Sequence, residues 1–238
     1  MKKYKKEDET SYSLGTELTL QLLIDKPECV NTIYVHSKQN NNDIYKRIIK
    51  LANDNKVEVI HNDRIFNVLS DKDNCYIIGV FNKYKGSINA ETNHIVLVNP
   101  SNSGNLGTII RTSIGFGIKD IAIITPAVDY FDPKVIRASM GAIFEANIQL
   151  FSTFEDYKKI ATNRDIFTFM LDGKNRIDKI AIPDKYSLVF GNEATGLPMQ
   201  YHNFGKSVLI KHYNTIDSLN LCNAVSIGLY KFTEGKVD

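Results

Sequence analysis

The chain has 238 residues, of which 43% are hydrophobic and 24% are charged, so it can bury a core of one large or two small domains and is not disordered. Its formal net charge is only +2, which excludes a protein that coats nucleic acid without selectivity. The three isolated cysteines exclude a zinc site and a disulfide framework, and no apolar run approaches the roughly 18 residues of a membrane span. We therefore expect a cytoplasmic protein with no bound metal and no membrane contact.

Residues 1–90 are predicted to form a small α/β domain that opens with a basic tail. Four lysines lie within the first six residues, and they indicate either a solvated tail or an arm that touches RNA. Apolar spacing predicts helices and strands in alternation. The helices are Glu17–Ile24, Asp43–Ala52 and Arg64–Leu69, and the strands are Val30–His36, Val57–Ile60 and Tyr76–Phe81. The segment Asn82–Asn93 has no apolar periodicity and is predicted to be a linker.

Residues 91–238 are predicted to form a second, larger α/β domain around a parallel sheet. Its strands are nearly continuous apolar runs, as expected for strands that are buried on both faces. They are Ile95–Val98, Ile121–Ile124, Ile148–Phe151, Ile166–Leu171, Leu188–Phe190 and Val208–Ile210. The helices between and after them are Leu106–Phe116, Lys134–Phe144, Phe154–Ala161 and Ser218–Phe232.

The first polar motif of this domain follows its first strand. A loop after Val98 leads into a helix that carries Asn105, Gly107 and Arg111. Ligands of open α/β sheets bind beyond the carboxyl ends of the strands, so this position suits a site. Taken alone, Asn105 and Arg111 could equally be a helix cap and a surface cation.

Two further motifs follow later strands in the same way. The strand Leu188–Phe190 ends at a loop with Gly191, Glu193, Gly196 and Leu197, which could also be an ordinary turn. The strand Val208–Ile210 leads through a polar loop to Ser218-Leu219-Asn220, where Ser218 is predicted to be the N-cap of the last helix. That cap does not explain why Asn220, a poor helix former, lies in the expected first turn.

In this order and context, the three motifs resemble those of the SpoU/TrmH family of SPOUT methyltransferases, over about residues 94 to 233. The segment Arg137–Ala142 resembles the family pattern between the first two motifs. The resemblance implies a C-terminal parallel-sheet SPOUT domain with a deep trefoil knot, preceded by a small α/β RNA-binding domain. It further implies a homodimer that transfers a methyl group from S-adenosyl-L-methionine to a ribose 2′-hydroxyl of RNA, rRNA being favoured over tRNA by the two-domain layout.

The resemblance also implies which side chains form the site. Arg111 corresponds to the residue that activates the ribose beside the cofactor of the partner subunit, and it is assisted by four polar side chains: Asn105, Glu193, Ser218 and Asn220. The residues implied to bind the cofactor, largely through backbone groups, are Phe190, Gly191, Asn192, Gly196, Ile210 and Leu219. The sequence departs from the family pattern after Ile210, where Lys211-His212-Tyr213-Asn214 replaces the usual proline-containing loop and alters the expected cofactor contacts.

Two alternatives to this function remain open. One is a catalytically silent RNA-binding protein on the same fold, which a missing Arg111 or a broken Ser218-Leu219-Asn220 motif would favour; both are intact. The other is a base-methylating SPOUT enzyme, but such relatives lack this combination of motifs.

Overall fold

The computed structural model describes residues 2–70, 74–213 and 215–235. The strands are β1 Thr10–Leu14, β2 Val30–Val35, β3 Glu58–His61, β4 Ile77–Asn82, β5 His94–Val98, β6 Asp120–Ile124, β7 Asn147–Phe151, β8 Asp165–Phe169, β9 Asn175–Arg176, β10 Tyr186–Phe190 and β11 Lys206–Leu209. The helices are α1 Thr16–Asp25, α2 Asp43–Asp54, α3 Arg64–Leu69, α4 Ser103–Gly115, α5 Pro133–Ala138, α6 Phe154–Ile160 and α7 Leu221–Phe232.

The chain divides into two compact units, one made of Met1–Tyr84 with Asp129–Glu145 and the other of Lys85–Val128 with Ala146–Asp238. This division differs from the predicted boundary after residue 90, because a segment of the second half joins the first unit. Aromatic packing explains the difference: the rings of Phe131 and Phe144 each lie against Phe81, with centroids 5.8 and 5.4 Å away. Such long-range contacts leave no periodic pattern in the sequence.

The first unit is built on a mixed sheet with the strand order β1-β4-β2-β3. Its first strand was missed by the sequence analysis, since Thr10–Leu14 is rich in hydroxyl side chains rather than branched apolar ones. Ser11 and Ser13 are nevertheless fully buried. Their hydroxyls are satisfied, because Ser11 donates to the carbonyl of Phe131 (2.5 Å) and Ser13 is 2.9 Å from the hydroxyl of Thr19.

Two further features of the first unit bear on the expectations. The four lysines of the basic tail are exposed, and the tail is held by contacts of its own: the Tyr4 hydroxyl donates to Asp129, and Lys2 pairs with Asp8 at 2.6 Å. The predicted helix Lys134–Phe144 is α5 followed by a separate 3-10 turn at Ala142–Phe144. The helix is interrupted because Met140 and Gly141 have φ of 52° and 87°, which an α-helix does not accept.

The second unit contains a seven-stranded sheet in the order β7-β6-β5-β10-β8-β11-β9. Every pair of neighbouring strands is parallel, which confirms the predicted α/β class with a parallel sheet. Strand β10 lies between β5 and β8, both of which precede it in the chain. The short edge strand β9 carries only two residues, Asn175 and Arg176, and was not predicted.

A buried polar network lies at the amino-terminal end of this sheet. His94 is fully buried, with its ring nitrogens 2.9 Å from the Tyr157 hydroxyl and 2.8 Å from the Asn89 carbonyl. The Tyr157 hydroxyl continues to Ser187 at 2.6 Å. Burial lowers the pKa of His94 to about 4, so the imidazole is neutral at physiological pH. The segment 83–93 is therefore not a free linker, since the backbone carbonyl of Asn89 contacts the buried ring of His94.

None of the helices described is long and apolar enough to cross a bilayer. Within the same residues, no group of three or more His, Cys, Asp or Glu side chains is arranged to hold a metal ion.

Candidate active site

Loops from several strands meet at the carboxyl edge of the parallel sheet. The loop after β5 leads into α4, the loop after β10 carries Gly191–Gly196, and the loop after β11 leads towards α7. Because parallel strands end at the same edge, segments that are about 90 residues apart in sequence become neighbours. The three sequence motifs therefore gather at one place in the second unit.

Glu193 joins the first two motifs. Its carboxylate accepts hydrogen bonds from the backbone N–H and hydroxyl of Ser101 (3.0 and 2.8 Å) and from the backbone N–H of Asn102 (3.1 Å). The side-chain amide of Asn105 donates to it at 3.3 Å. The neighbouring Asn192 side chain donates to the Asn99 carbonyl at 2.7 Å, which adds a second link between the same loops.

These donors control the ionisation of Glu193. Burial alone would raise the pKa of this carboxyl group, but the hydrogen bonds from Ser101 and Asn105 outweigh burial and lower it. The carboxylate is therefore ionised at neutral pH, and its lone pairs are engaged by the β5–α4 loop. In this arrangement Glu193 is a clamp between two loops and is poorly placed to take a proton.

The third motif reaches the first through the start of α7. The helix begins at Leu221, and Asn220 is its N-cap, with its side-chain oxygen accepting from the Cys222 backbone N–H at 2.8 Å. The expectation that Ser218 caps the helix was therefore wrong, and the cap accounts for the presence of Asn220. Within the first turn of α7, the Cys222 thiol lies 3.4 Å from the side-chain oxygen of Asn105.

A cavity of about 330 Å³ opens between the loops of the second and third motifs. All six residues that the resemblance assigned to cofactor binding line it: Phe190, Gly191, Asn192, Gly196, Ile210 and Leu219. Glu193 and Ser218 also contribute to its wall. The volume lies in the range of small-molecule sites, and most of the lining is apolar with a few polar groups.

Sequence reasoning missed one whole wall of this cavity. The end of β8 and the loop after it contribute Phe169–Asp172, and α7 contributes Leu221 and Ala224. The ring of Phe169 stacks on that of Phe190 with centroids 4.3 Å apart. Strand β8 was predicted to extend to Leu171, and its end was given no predicted role. The signal that could have identified this wall is position alone, because β8 neighbours β10 at the same sheet edge.

Gly191 is required for the shape of its own loop. A Cβ atom at this position would collide with the backbone of Gly196 and Leu197. Gly196 has a φ of +66°, a left-handed conformation that glycine adopts without strain. The two glycines thus let the loop fold back on itself.

Arg111 is not brought to this cluster within the chain. It is exposed on α4, six residues after Asn105, which corresponds to a rotation of roughly 120° around the helix and a rise of about 9 Å. Ser218 is also exposed, although it borders the cavity. The structure therefore brings Asn105, Glu193 and the Asn220 cap together and leaves Arg111 facing outward.

The loop that departs from the family pattern forms a second cavity of about 560 Å³. Lys211 and His212 line it together with Arg176, and His212 also faces the first cavity. A ring nitrogen of His212 is 3.0 Å from the Ile210 carbonyl, which holds the imidazole against its own loop. Asn214 of this loop lies outside the described residues.

Known proteins are similar in sequence to part of this chain. A ribosomal RNA small subunit methyltransferase G 2 of Syntrophobacter fumaroxidans is 28% identical over 58% of this chain and 26% of its own length. A 23S rRNA (adenosine(1067)-2′-O)-methyltransferase of Streptomyces azureus is 29% identical over 54% of this chain and 49% of its own. The alignments thus span at most about half of these relatives.

The fold of the chain is also found in a solved structure. An AdoMet-bound rRNA methyltransferase from Sinorhizobium meliloti superposes with a TM-score of 0.83 and 22% identity, covering 97% of this chain and 89% of that one.

The parallel α/β unit with its motif-lined cavity defines the class of protein. The model of the SpoU rRNA Methylase family matches residues 92–230. The chain belongs to this family, which confirms the relationship indicated by the three motifs.

Proposed function

We propose that the protein transfers a methyl group from S-adenosyl-L-methionine to a ribose 2′-hydroxyl of RNA, with rRNA favoured over tRNA. One observation carries the proposal beyond family membership. The motif loops, distant in sequence, converge on one cavity at the carboxyl edge of the sheet, and Glu193 fixes two of them together. The rRNA preference is supported by the rRNA substrates named for the two relatives above.

The first cavity is proposed to hold the cofactor. Its size suits a nucleoside-sized ligand, and its mainly apolar wall can take an adenine ring beside the stacked Phe169 and Phe190. Backbone groups of Gly191, Ile210 and Leu219 are the proposed polar contacts. When bound, the sulfonium supplies an already activated methyl group, so the protein's task is to place an oxygen in line with it.

Arg111 is proposed to act at the cavity of a partner subunit. Its exposed position on α4 supports this assignment, because Arg111 does not line the cavity of its own chain. A guanidinium keeps its proton in proteins and is therefore a poor base. We propose that its charge stabilises the developing alkoxide while an RNA phosphate accepts the proton.

The remaining polar residues are proposed to hold the site in shape. Glu193 and Asn105 fix the β5–α4 loop, and Asn220 fixes the start of α7. The side-chain amide nitrogen of Asn220 and the exposed hydroxyl of Ser218 are proposed to orient the ribose and the partner's arginine. These roles require no proton transfer to Glu193, because the lowered pKa of its carboxyl group makes it a weak base.

RNA is proposed to contact both units. Lys211 and Arg176 line the cavity next to the cofactor cavity, where cations can neutralise backbone phosphates. The first unit, which joins Asp129–Glu145 to most of residues 1–90, is proposed to be the RNA-binding domain, and the second unit, which holds the rest of residues 91–238, is proposed to be the methyltransferase domain. The cytoplasm is proposed as the location of this activity.

We further propose that the second unit is knotted as a deep trefoil. Strand β10 lies between β5 and β8, although both of these come earlier in the chain. Knots are rare because connections seldom thread through loops. Insertion of a late strand between two earlier ones is compatible with such threading and supports the proposal.

The test is mass spectrometry of ribonucleosides from cells with and without the protein, followed by reaction of purified protein with the RNA identified. We expect one 2′-O-methylated nucleoside to be present only when the protein is present. A methyl group on a base would assign the protein to the base-methylating class. RNA binding without any methylated product would assign it to the silent RNA-binding class.

A further inference from the structure

The start of α7 contributes a sulfur atom to the polar cluster around Glu193. The Cys222 Sγ lies 3.4 Å from the Asn105 side-chain oxygen and 3.5 Å from the Asn105 backbone carbonyl. Thiols are weak donors that bond at such distances. On its other side, the same amide donates from its nitrogen to Glu193 at 3.3 Å.

From this geometry we infer that Cys222 is a positioning residue for the methyl transfer proposed above, holding the Asn105 amide between two opposite partners. The amide oxygen faces a donor on α7, and the amide nitrogen faces an acceptor on the β10 loop. In the reversed orientation the amide oxygen would face a carboxylate, which repels it, and the thiol would keep only the backbone carbonyl of Asn105 as an acceptor. One orientation is therefore strongly favoured.

The position of the thiol is itself fixed by α7. The Asn220 cap accepts from the Cys222 backbone N–H at 2.8 Å, which sets the rotation of the first helical turn. The Ser226 hydroxyl donates to the Cys222 carbonyl at 2.7 Å one turn later. A displacement of α7 would thus be transmitted through Cys222 to Asn105 and from there to Glu193.

The ionisation of the thiol is consistent with a donor. Burial, reinforced by the nearby carboxylate of Glu193, raises the pKa of Cys222. The group remains protonated at neutral pH and can donate to Asn105. Cys222 does not line the cofactor cavity, whereas its neighbours Leu221 and Ala224 do. Removal of its sulfur should therefore affect the reaction step more than cofactor binding.

This inference rests on the proposed methyl transfer, and the experiment separates the two. Single-turnover rates and calorimetric affinity for S-adenosyl-L-methionine are measured on the full chain with Cys222→Ala, Asn105→Ala and the double variant. We expect Cys222→Ala to lower the rate about fivefold to tenfold, the equivalent of one neutral hydrogen bond, with cofactor affinity within about twofold. The double variant should be no slower than Asn105→Ala, because the thiol acts through the amide.

Thr233→Val is the matched control, since it removes a hydroxyl-to-carbonyl hydrogen bond at the far end of the same helix, away from Cys222 and Asn105. It should keep the wild-type rate. A Cys222→Ala protein as fast as the wild type overturns the inference, as does a double variant whose loss is the product of the single losses. A wild-type protein that makes no 2′-O-methylated nucleoside would instead defeat the proposed function.

Discussion

Among single residues, substitution of Arg111 is expected to change the methylation rate most. If its charge stabilises the developing alkoxide, Arg111→Ala should lower the methylation rate by about 10²–10³, as expected when a preorganised donor is lost. Cofactor affinity should change little, because Arg111 is not part of the cavity wall. Lys at this position should rescue only weakly, because an ammonium lacks the planar fork of donors.

The measurement is single-turnover methylation of the identified RNA, with calorimetry for the cofactor. Lys159→Ala is a suitable control, because Lys159 is also an exposed cation on a helix and pairs with Asp156 on the same helix. Near-normal turnover of Arg111→Ala would refute the role assigned to the arginine.

A second prediction at this scale concerns the buried His94. Its pKa is about 4 in the folded chain and about 6.5 when exposed, so below pH 6.5 the unfolded state binds a proton that the folded state does not. Its stabilising contribution is complete above pH 6.5 and declines as pH falls towards 4, by at most about 3 kcal/mol. We expect the unfolding free energy of the wild type to decrease over this window more steeply than that of His94→Gln, as measured by urea titration. Parallel pH curves would contradict the assignment.

The residues of the site differ in how far they could be predicted from the sequence. The six residues assigned to cofactor binding all line the cavity, because the motifs follow strand ends that meet at one edge of the sheet, whereas the wall from the end of β8 was not predicted. The donors that saturate Glu193 could not be predicted, since Ser101 lies 92 positions away and belongs to a loop without special composition. The role of Cys222 depends likewise on a contact across 117 positions.

Among the elements, the start of α7 distinguishes Asn220 from Ser218 as the residue that caps the helix. Asn220→Ala should destabilise the chain by about 1 kcal/mol, since the backbone N–H of Cys222 loses its cap, while Ser218→Ala should leave stability unchanged. Thermal unfolding of both variants without RNA or cofactor tests this directly. Equal destabilisation by the two substitutions, or a larger effect of Ser218→Ala, would contradict the observed helix start.

Element boundaries were predicted best where apolar periodicity is strong. Helix α3 begins and ends as predicted, and most strands of the parallel sheet shift by only one or two residues. Errors arose where hydroxyls replace branched apolar residues, as in β1, or where one residue changes the backbone, as Met140 does after α5. Composition alone does not encode either feature.

At the scale of the whole molecule, the assignment of Asp129–Glu145 to the first unit alters what a truncation should do. Removal of residues 1–84 would expose Phe131 and Phe144, whose rings pack on Phe81. We expect the shortened chain to unfold at lower temperature and to aggregate unless both aromatic residues are replaced by polar ones. Light scattering and thermal unfolding provide the measurement, with the full chain carrying the same two substitutions as control. A shortened chain as stable and monodisperse as the full one would show that the segment does not depend on the first unit.

Homodimerisation is the other prediction at this scale. Helix α7 exposes Ile227 and Tyr230, which are 39% and 66% accessible and lie three residues apart on one face. Sedimentation should give twice the 26.9 kDa of one chain, and Ile227→Asp with Tyr230→Asp should give a monomer that no longer methylates RNA. Leu150→Asp is the matched control, since Leu150 is a comparably exposed apolar residue on β7 and should leave the dimer intact.

Mixed dimers test whether Arg111 works on the partner's cofactor. One subunit carries Arg111→Ala with an intact cavity, and the other carries Gly191→Val, which disrupts the cavity loop by collision with Gly196 but keeps its arginine. Each homodimer should be inactive, whereas a heterodimer joins the intact cavity of one subunit to the arginine of the other. Random exchange makes half of the dimers heterodimers with one working site in two, so the mixture should regain about a quarter of wild-type activity, in line with closed two-fold assembly. If the mixture stays inactive although mass spectrometry detects heterodimers, the arginine acts within its own subunit.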